Sequence, residues 1–511
     1  MLELSRAHKS KHVTIEQLAS VVDDEKHHGR RVVLAHGVFD LLHIGHIRHL
    51  AEAKAQGDVL VVTLTEDKHV NKGPHRPAFG QDLRAEALSA LEPVDYVAIS
   101  PFANAVEIIE SLKPDVYVKG PDYRNASADV SGGIVLEEAA VVRNGGVVHY
   151  TDDETFSSSA LLNRFMPSFD NKVHAYLNAF RERHTPGEII ASLDALKSMR
   201  AVVIGEAIID EYVYCDQMGK SSKEPVLALR YASKELFAGG SLAIANHLAN
   251  FCQSVELITV LGEIDPQEEF IRRNLRPNVR TNFIYRKDSP TIVKRRFVDR
   301  YTLQKLFEVY VINDEYLDPA EDAQFCSLMD ARIGNSDATI VADFGHGMLT
   351  PKAVDLLTYR EHFLAVNTQI NAANLGFHTI SKYPRADYIC IHEGEVRLDA
   401  QSRQGPLAGL VGELSTRLGA DILVTRGKSG STFFHEGTAF ESPAFALNVI
   451  DRIGSGDAVL ALTSMCVAAG MEPDVVSFLA NVIGAQKVQI VGNRHAIDRV
   501  ATLKFVESLL R

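Results

Sequence analysis

The chain has 511 residues, 46% of them hydrophobic and 23% charged, with a formal net charge of −13. That length predicts two or three globular domains, each able to bury a core. The acidic balance excludes a general nucleic-acid or membrane-surface binder, so anionic substrates need locally basic pockets.

In chain order, Val13 to Asp24 reads as a helix with Thr14 as its N-cap. Arg31 to Ala35 is a short buried strand, and Ile47, Leu50 and Ala51 begin a helical spacing. Between them lies Gly37-Val38-Phe39-Asp40-Leu41-Leu42-His43-Ile44-Gly45-His46. His43 and His46 therefore sit where a strand enters a helix. N–H groups and the positive dipole end of a helix N-terminus suit a phosphate, and two imidazoles beside it can donate to phosphoryl oxygens. Asp58 to Leu64 is nearly all apolar, as a parallel strand covered on both faces should be. Thr65 to Pro77 is a polar loop with Lys68, Lys72 and Arg76. Gln81–Leu91, Ala105–Leu112 and Gly133–Asn144 read as helices. Val94–Ala98, Asp115–Val118 and Val147–Tyr150 read as strands. This alternation predicts an α/β doubly wound parallel sheet, which binds ligands beyond the carboxyl ends of its strands. His43, His46, Lys72, Lys119 and the run Ser157-Ser158-Ser159 all fall there. The serines precede a helix holding Arg164 and offer a second phosphate cradle. The plainer readings are N-capping for the serines and solvated surface for each lysine taken alone.

Phe169 to Arg183 is an amphipathic helical stretch ended by His184-Thr185-Pro186-Gly187, and Thr185 caps a further helix through Leu196. A second α/β unit opens with the strand Arg200–Gly205, followed by Ile208-Ile209-Asp210. Tyr212–Leu236 and Thr291–Val311 hold short alternating segments, which predict a small β-lid. Ala238-Gly239-Gly240-Ser241 and the helix Leu242–Phe251 lie between them. Later strands are Ala338–Ala342, Tyr388–Ile391 and Asp421–Thr425. Asp451-Arg452-Ile453-Gly454-Ser455-Gly456-Asp457 opens the apolar helix Ala458–Ala469. Small residues there expose N–H groups to a transferring phosphoryl group, and a carboxylate beside them can take a proton from an attacking hydroxyl.

The first of these stretches resembles the nucleotide-binding signature of the cytidylyltransferase-like nucleotidyltransferases, including Gly37, Phe39 and Asp40 ahead of the histidines. NKGPHRP, Arg84, LEPVDYV, VKGPDY and FSSSALLNRF make residues 11–165 similar to the adenylyltransferase half of the bifunctional heptose kinase/adenylyltransferases. This resemblance implies that His43, His46 and Lys72 handle the triphosphate. It assigns Lys119, Gly120 and Asp122, with Ser157, Ser158 and Ser159, to the nucleotide.

The second stretch resembles the D-x-x-G-x-G-D signature of ribokinase-like (PfkB) sugar kinases, over residues 199–511, with 166–198 as a helical linker. That resemblance implies Asp457 as base, Gly454, Ser455 and Gly456 as anion hole, and Thr425, Gly427 and Gly430 at ATP. It places Asp210, Gly239, Gly240, Lys294 and Arg296 at the sugar and Glu395 at Mg²⁺. Three positions depart from the pattern: Ala243 stands where an Asn is usual, His392 begins the stretch ending in Glu395, and Asn367-Thr368-Gln369 replaces Asp-Pro-Lys. The order of the two halves is also reversed relative to the heptose enzymes.

The expectation is a bifunctional enzyme of nucleotide-sugar synthesis. One half is a kinase of a sugar, a heptose phosphate, using ATP and Mg²⁺. The other is a sugar-1-phosphate nucleotidyltransferase, adenylyl on the resemblance, releasing pyrophosphate. The alternative is a nucleotidyltransferase, cytidylyl on a polyol phosphate included, whose kinase-like half serves only binding or dimerisation. Sugar phosphates and nucleoside triphosphates (ATP, or CTP in the N-terminal half) are the expected partners. A homodimer is expected through the lid segments or the 169–183 helix. Cys215, Cys252, Cys326, Cys390 and Cys466 have no metal-ligand spacing. MLELSRAHKSKH has no apolar signal region, and no stretch is long enough to span a membrane. A soluble, cytoplasmic protein is the expectation.

Overall fold

The computed structural model describes residues 11–70, 77–124, 133–152, 169–359, 361–371 and 374–510. The chain divides into two compact units, 1–170 with 503–511, and 171–502.

In the first unit, β1 (Val32–Gly37), β2 (Val59–Thr65), β3 (Tyr96–Ser100), β4 (Val116–Lys119) and β5 (Val147–Tyr150) form one sheet in the order β3-β2-β1-β4-β5, parallel throughout. β2 is buried at every position, as burial on both faces requires. Leu18, Val22, Ile108, Leu112 and Val141 cover one face of the sheet, and Leu50, Ala53, Ala85 and Leu88 the other. The order reverses between β1 and β4, which opens a crevice beyond the ends of those two strands. Thr14 caps the helix Ile15–His27 reciprocally with Gln17.

Arg84 holds the loops beside that crevice. It is 2% exposed and donates to the carbonyls of Val38, Thr65 (2.9 Å) and Phe79 (3.0 Å), and to the Asp67 carboxylate. Arg84→Met leaves three inward carbonyls without a donor. It should lower the stability of the first unit by about 3 kcal/mol. Faster hydrogen exchange at the β1 and β2 amides of the full chain would register the loss.

In the second unit, a nine-stranded sheet runs β10-β9-β6-β13-β14-β15-β16-β17-β18. Its strands are β6 (Arg200–Gly205), β9 (Ser254–Ile264), β10 (Val279–Pro290), β13 (Ala338–Asp343), β14 (Leu364–Thr368), β15 (Tyr388–His392), β16 (Asp421–Thr425), β17 (Ser431–His435) and β18 (Thr438–Ser442). Its strand pairings are parallel except for the last two, β16-β17 and β17-β18. A second, four-stranded sheet is the lid expected from the alternating segments. It has the order β12-β11-β7-β8, from β7 (Ala207–Lys220), β8 (Leu227–Gly240), β11 (Ile292–Asp299) and β12 (Lys305–Val311). Phe325, Met329, Leu357, Val411 and Leu418 pack in the large core. The helix Ser455–Ala468 is buried without a break from Asp457 to Cys466, as an apolar helix without a polar stripe must be.

Of residues 166–198, expected as a linker, the part from Asn171 onward is built into the second unit. Phe180 of the helix Asn171–Arg181 stacks on Phe478 with ring centroids 4.5 Å apart. His184 Nε2 lies 2.8 Å from Asp474 Oδ2. The amphipathic stripe read from the sequence is thus the face of a packed helix. At the other end, 503–511 falls with the first unit rather than with the kinase-like one.

Candidate active sites

In the first unit, β1 ends at Gly37 and the helix Ile44–Lys54 starts seven residues later. The chain turns through Phe39, whose φ of 49° is left-handed, and Phe39 is buried with its ring edge-on to His46, 5.4 Å between centroids. Asp40, 1% exposed, accepts the Ala78 N–H. These two residues therefore shape the loop from inside. His43 caps the helix, its Nδ1 accepting the Gly45 N–H at 3.2 Å. That bond assigns the proton of the neutral ring to Nε2, the donor a phosphate needs. His43 and His46 lie with ring centroids 4.0 Å apart, so the two imidazoles form one cluster at the helix N-terminus.

Lys119 ends β4 beside this crevice, but its ammonium is an internal one. It pairs with Glu137 at 2.8 Å and lies over the Tyr123 ring, 4.6 Å from the centroid. Gly120 leads into the turn Pro121–Tyr123, which holds Asp122. His36, which sequence reasoning passed over, lies 2.9 Å from Thr63 Oγ1. Burial, and then Lys119, push its pKa down to about 3, so it is neutral. Lys72, Ser157, Ser158, Ser159 and the helix with Arg164 lie outside the described residues.

The second unit holds a cavity of about 500 Å³. Its wall brings together Asp210, Gly240, Lys294, Arg296, Glu395, Thr425 and the loop Arg452–Asp457, all but Arg452 and Ile453 singled out from the sequence. Asp210 comes from β7, Lys294 and Arg296 from β11, and the loop from the start of the helix Ser455–Ala468. β7 and β11 pair in register, with Arg296 opposite Tyr212 and Lys294 opposite Asp210. Arg296 donates to Asp210 and, at 3.0 Å, to Glu308. Burial first, and then the charge of Asp210, raise the pKa of Asp457 to about 7, while Lys487 and Lys294 work the other way. A carboxyl so poised is a base at neutral pH. Burial pulls the pKa of Lys294 down against the attraction of Asp210.

Gly239 does not form the wall; it makes room for it. A Cβ there would meet Asp210 Oδ2 at 2.1 Å. Gly427 and Gly430 shape the turn after β16. Glu395 lines the cavity, but its two oxygens accept the N–H groups of Ile370 (3.1 Å) and His392 (2.7 Å). Each oxygen keeps a further lone pair, so the carboxylate would still be able to help hold a magnesium ion. Among the departures, Asn367, Gln369 and His392 line the cavity. Ala243 is buried in the helix Ser241–Ala249.

Three residues have no role assigned from the sequence. Asn493 donates its amide to Asp210 Oδ2 at 3.2 Å, from 283 positions away. Asp451 accepts from Tyr212 (2.7 Å), Lys305 (2.6 Å), Gly492 N–H (2.8 Å) and Ile453 N–H (3.1 Å), so it ties two lid strands to the glycine loop. Lys487 is wholly buried behind that loop. The first Asp of the sequence motif was the one available signal. All five cysteines are buried free thiols. No helix among the described residues is long and apolar enough to cross a membrane.

Comparison with known proteins agrees with both halves. Residues 34–164 match the cytidylyltransferase-like family and residues 199–499 the pfkB family carbohydrate kinases. The chain is 38% identical over 154 residues to "Bifunctional protein HldE" of Pseudomonas fluorescens, covering 30% of this chain and 31% of that protein. It is 43% identical over 111 residues to the protein of the same name from Geobacter sulfurreducens, covering 21% and 23%. Each match thus spans less than a third of the relative's length. The structure is similar to phosphofructokinase-2 from Escherichia coli in complex with substrates and products, with a TM-score of 0.51 and 14% identity over 61% of this chain and all of that one. With its pfkB match spanning more than half of its length, the chain belongs to the pfkB family of carbohydrate kinases and carries a cytidylyltransferase-like domain ahead of the kinase fold.

Proposed function

We propose that the protein is a bifunctional enzyme of nucleotide-sugar synthesis, phosphorylating a heptose phosphate and transferring an adenylyl group to a sugar 1-phosphate. The observation that carries the kinase half is the convergence of Asp457, the loop Gly454–Gly456, Asp210, Lys294 and Arg296 on one cavity. A sugar hydroxyl attacks the γ-phosphorus of ATP. The new O–P bond forms as the bond to the β,γ-bridging oxygen breaks and ADP leaves. The hydroxyl proton passes to Asp457, and the N–H groups at the helix start meet the developing charge. Glu395 in the cavity wall would help hold magnesium, which when bound would neutralise phosphate charge.

In the first unit, a phosphate oxygen of the sugar 1-phosphate attacks the α-phosphorus of the nucleotide, and pyrophosphate leaves. No protein nucleophile or base is needed. His43, His46 and Lys72 supply charge to the crowded transition state. The resemblance to the heptose enzymes favours adenine and a heptose. ATP turnover with a panel of heptose and hexose phosphates, and pyrophosphate release with ATP, CTP, GTP or UTP and sugar 1-phosphates, test both halves. A nucleotidyltransferase with a silent kinase half would release pyrophosphate yet turn over no sugar phosphate.

Gly454 offers a finer test. Its φ of 73° is left-handed, and a Cβ would fall 2.6 Å from Asn493 Oδ1. Gly454→Ala should push Asn493 off Asp210 and raise the KM for the sugar about tenfold. An unchanged KM in steady-state kinetics would deny Asn493 a part in sugar binding.

A further inference from the structure

Lys487 ends the helix Pro473–Lys487 and is 0% exposed. Its ammonium donates to the carbonyls of Ile453, at 2.8 Å, and Gly492, at 2.7 Å, and has no ion pair among the described residues. An unpaired buried ammonium is costly, and an apolar side chain of similar length would fill the same space without that cost. The two carbonyls belong to the two loops that build the phosphoryl-transfer site. Ile453 leads into Gly454–Asp457, and Gly492 precedes Asn493, the partner of Asp210. The same loops are joined a second time by Asp451, which accepts from the Ile453 and Gly492 N–H groups. Lys487 is not in the cavity wall, so it touches no substrate there.

Carbonyl oxygens converging on one positive charge are what a dehydrated monovalent cation also requires. We infer that Lys487 is a positioning residue for phosphoryl transfer, an internal cation that clamps the Ile453 and Gly492 carbonyls in place of a bound monovalent ion. The inference rests on the kinase reading above. Burial pulls the pKa of Lys487 down, while the facing Asp451, Asp457 and Asp210 favour its charge and Lys305 opposes it. His247, also nearby, is kept neutral by burial, with its pKa near 3. Removing the ammonium leaves carbonyls and carboxylates facing an uncharged gap.

The test uses the full chain as wild type, Lys487→Met and Lys487→Gln. Sugar-dependent ATP turnover and melting temperature are measured in choline chloride and again with potassium or ammonium chloride. Wild type should be indifferent to the added cation. Both variants should lose about 10²-fold in kcat as the loops drift. The acid limb of their pH profile should move up, because the positive charge beside Asp457 is gone. Potassium or ammonium should raise both kcat and melting temperature of Lys487→Met. Should that variant not fold, Lys487→Gln, which keeps a donor without the charge, carries the same test. A wild-type requirement for potassium, or a folded variant with wild-type kcat and pH limb, overturns the inference. So do variants whose kcat and melting temperature ignore the cation. A wild type inactive on every sugar counts against the kinase reading, and the cation response of the melting temperature still decides the role of Lys487.

Discussion

Asp457→Asn should cut sugar phosphorylation by about 10³-fold while leaving pyrophosphate release by the N-terminal domain unchanged. The substitution keeps the shape of a buried residue at the start of the Ser455–Ala468 helix and removes its ability to take a proton. In the wild type the carboxyl must be ionised to act, and burial with Asp210 holds its pKa near 7. The sign follows directly: kcat/KM for the sugar should fall tenfold per unit as pH drops below about 7, and level off above it. An unperturbed aspartate would place that limb near pH 4. Steady-state kinetics from pH 5 to 9, with a coupled assay for ADP, measure both effects. A residual rate within a factor of ten of wild type, or a limb near pH 4, would remove Asp457 from the role of base.

His46→Ala should abolish nucleotidyl transfer, by about 10³-fold in kcat, and leave sugar phosphorylation intact. The ring stands against His43 and Phe39 at the helix N-terminus, where the helix donors and the imidazoles share one small space. Loss of one ring removes a charge-assisted donor and loosens the packing of the other. His46→Asn separates the two effects, since it retains a donor without the aromatic face. Should the Ala and Asn variants both retain wild-type pyrophosphate release, the histidines are structural caps. Equal loss of both activities in a folded protein would speak against two separate sites.

Much of this was legible in the sequence because the relevant signals are local. Apolar runs such as Val59–Leu64 and Val202–Ile204 are strands because nothing but a two-sided sheet hides such a run, and their ends lie within two residues of the expected ones. His43 and His46 are three positions apart at a strand-to-helix junction, so their meeting is dictated by helix geometry. Thr185 caps its helix through a reciprocal bond to Glu188 only three residues on. The cavity residues were found through motifs, each confined to a few positions. Lys119 reads from the resemblance as a nucleotide contact, and its buried pairing with Glu137 is not legible because that partner lies on another element. The 166–198 stretch reads as a linker in the sequence because an amphipathic helix looks alike whether it bridges domains or packs on one.

By itself, the sequence determined the two α/β units, the lid, and the two short stretches in which phosphate chemistry is concentrated. Only the tertiary structure decided which groups set the properties of those stretches. It places Asp210 by Asp457, Asn493 on Asp210, Asp451 between lid and glycine loop, and Lys487 behind it. Helical and strand periods report what a residue does within about one turn or one strand. The charge and dielectric around a buried group depend on residues hundreds of positions away, which no local period encodes.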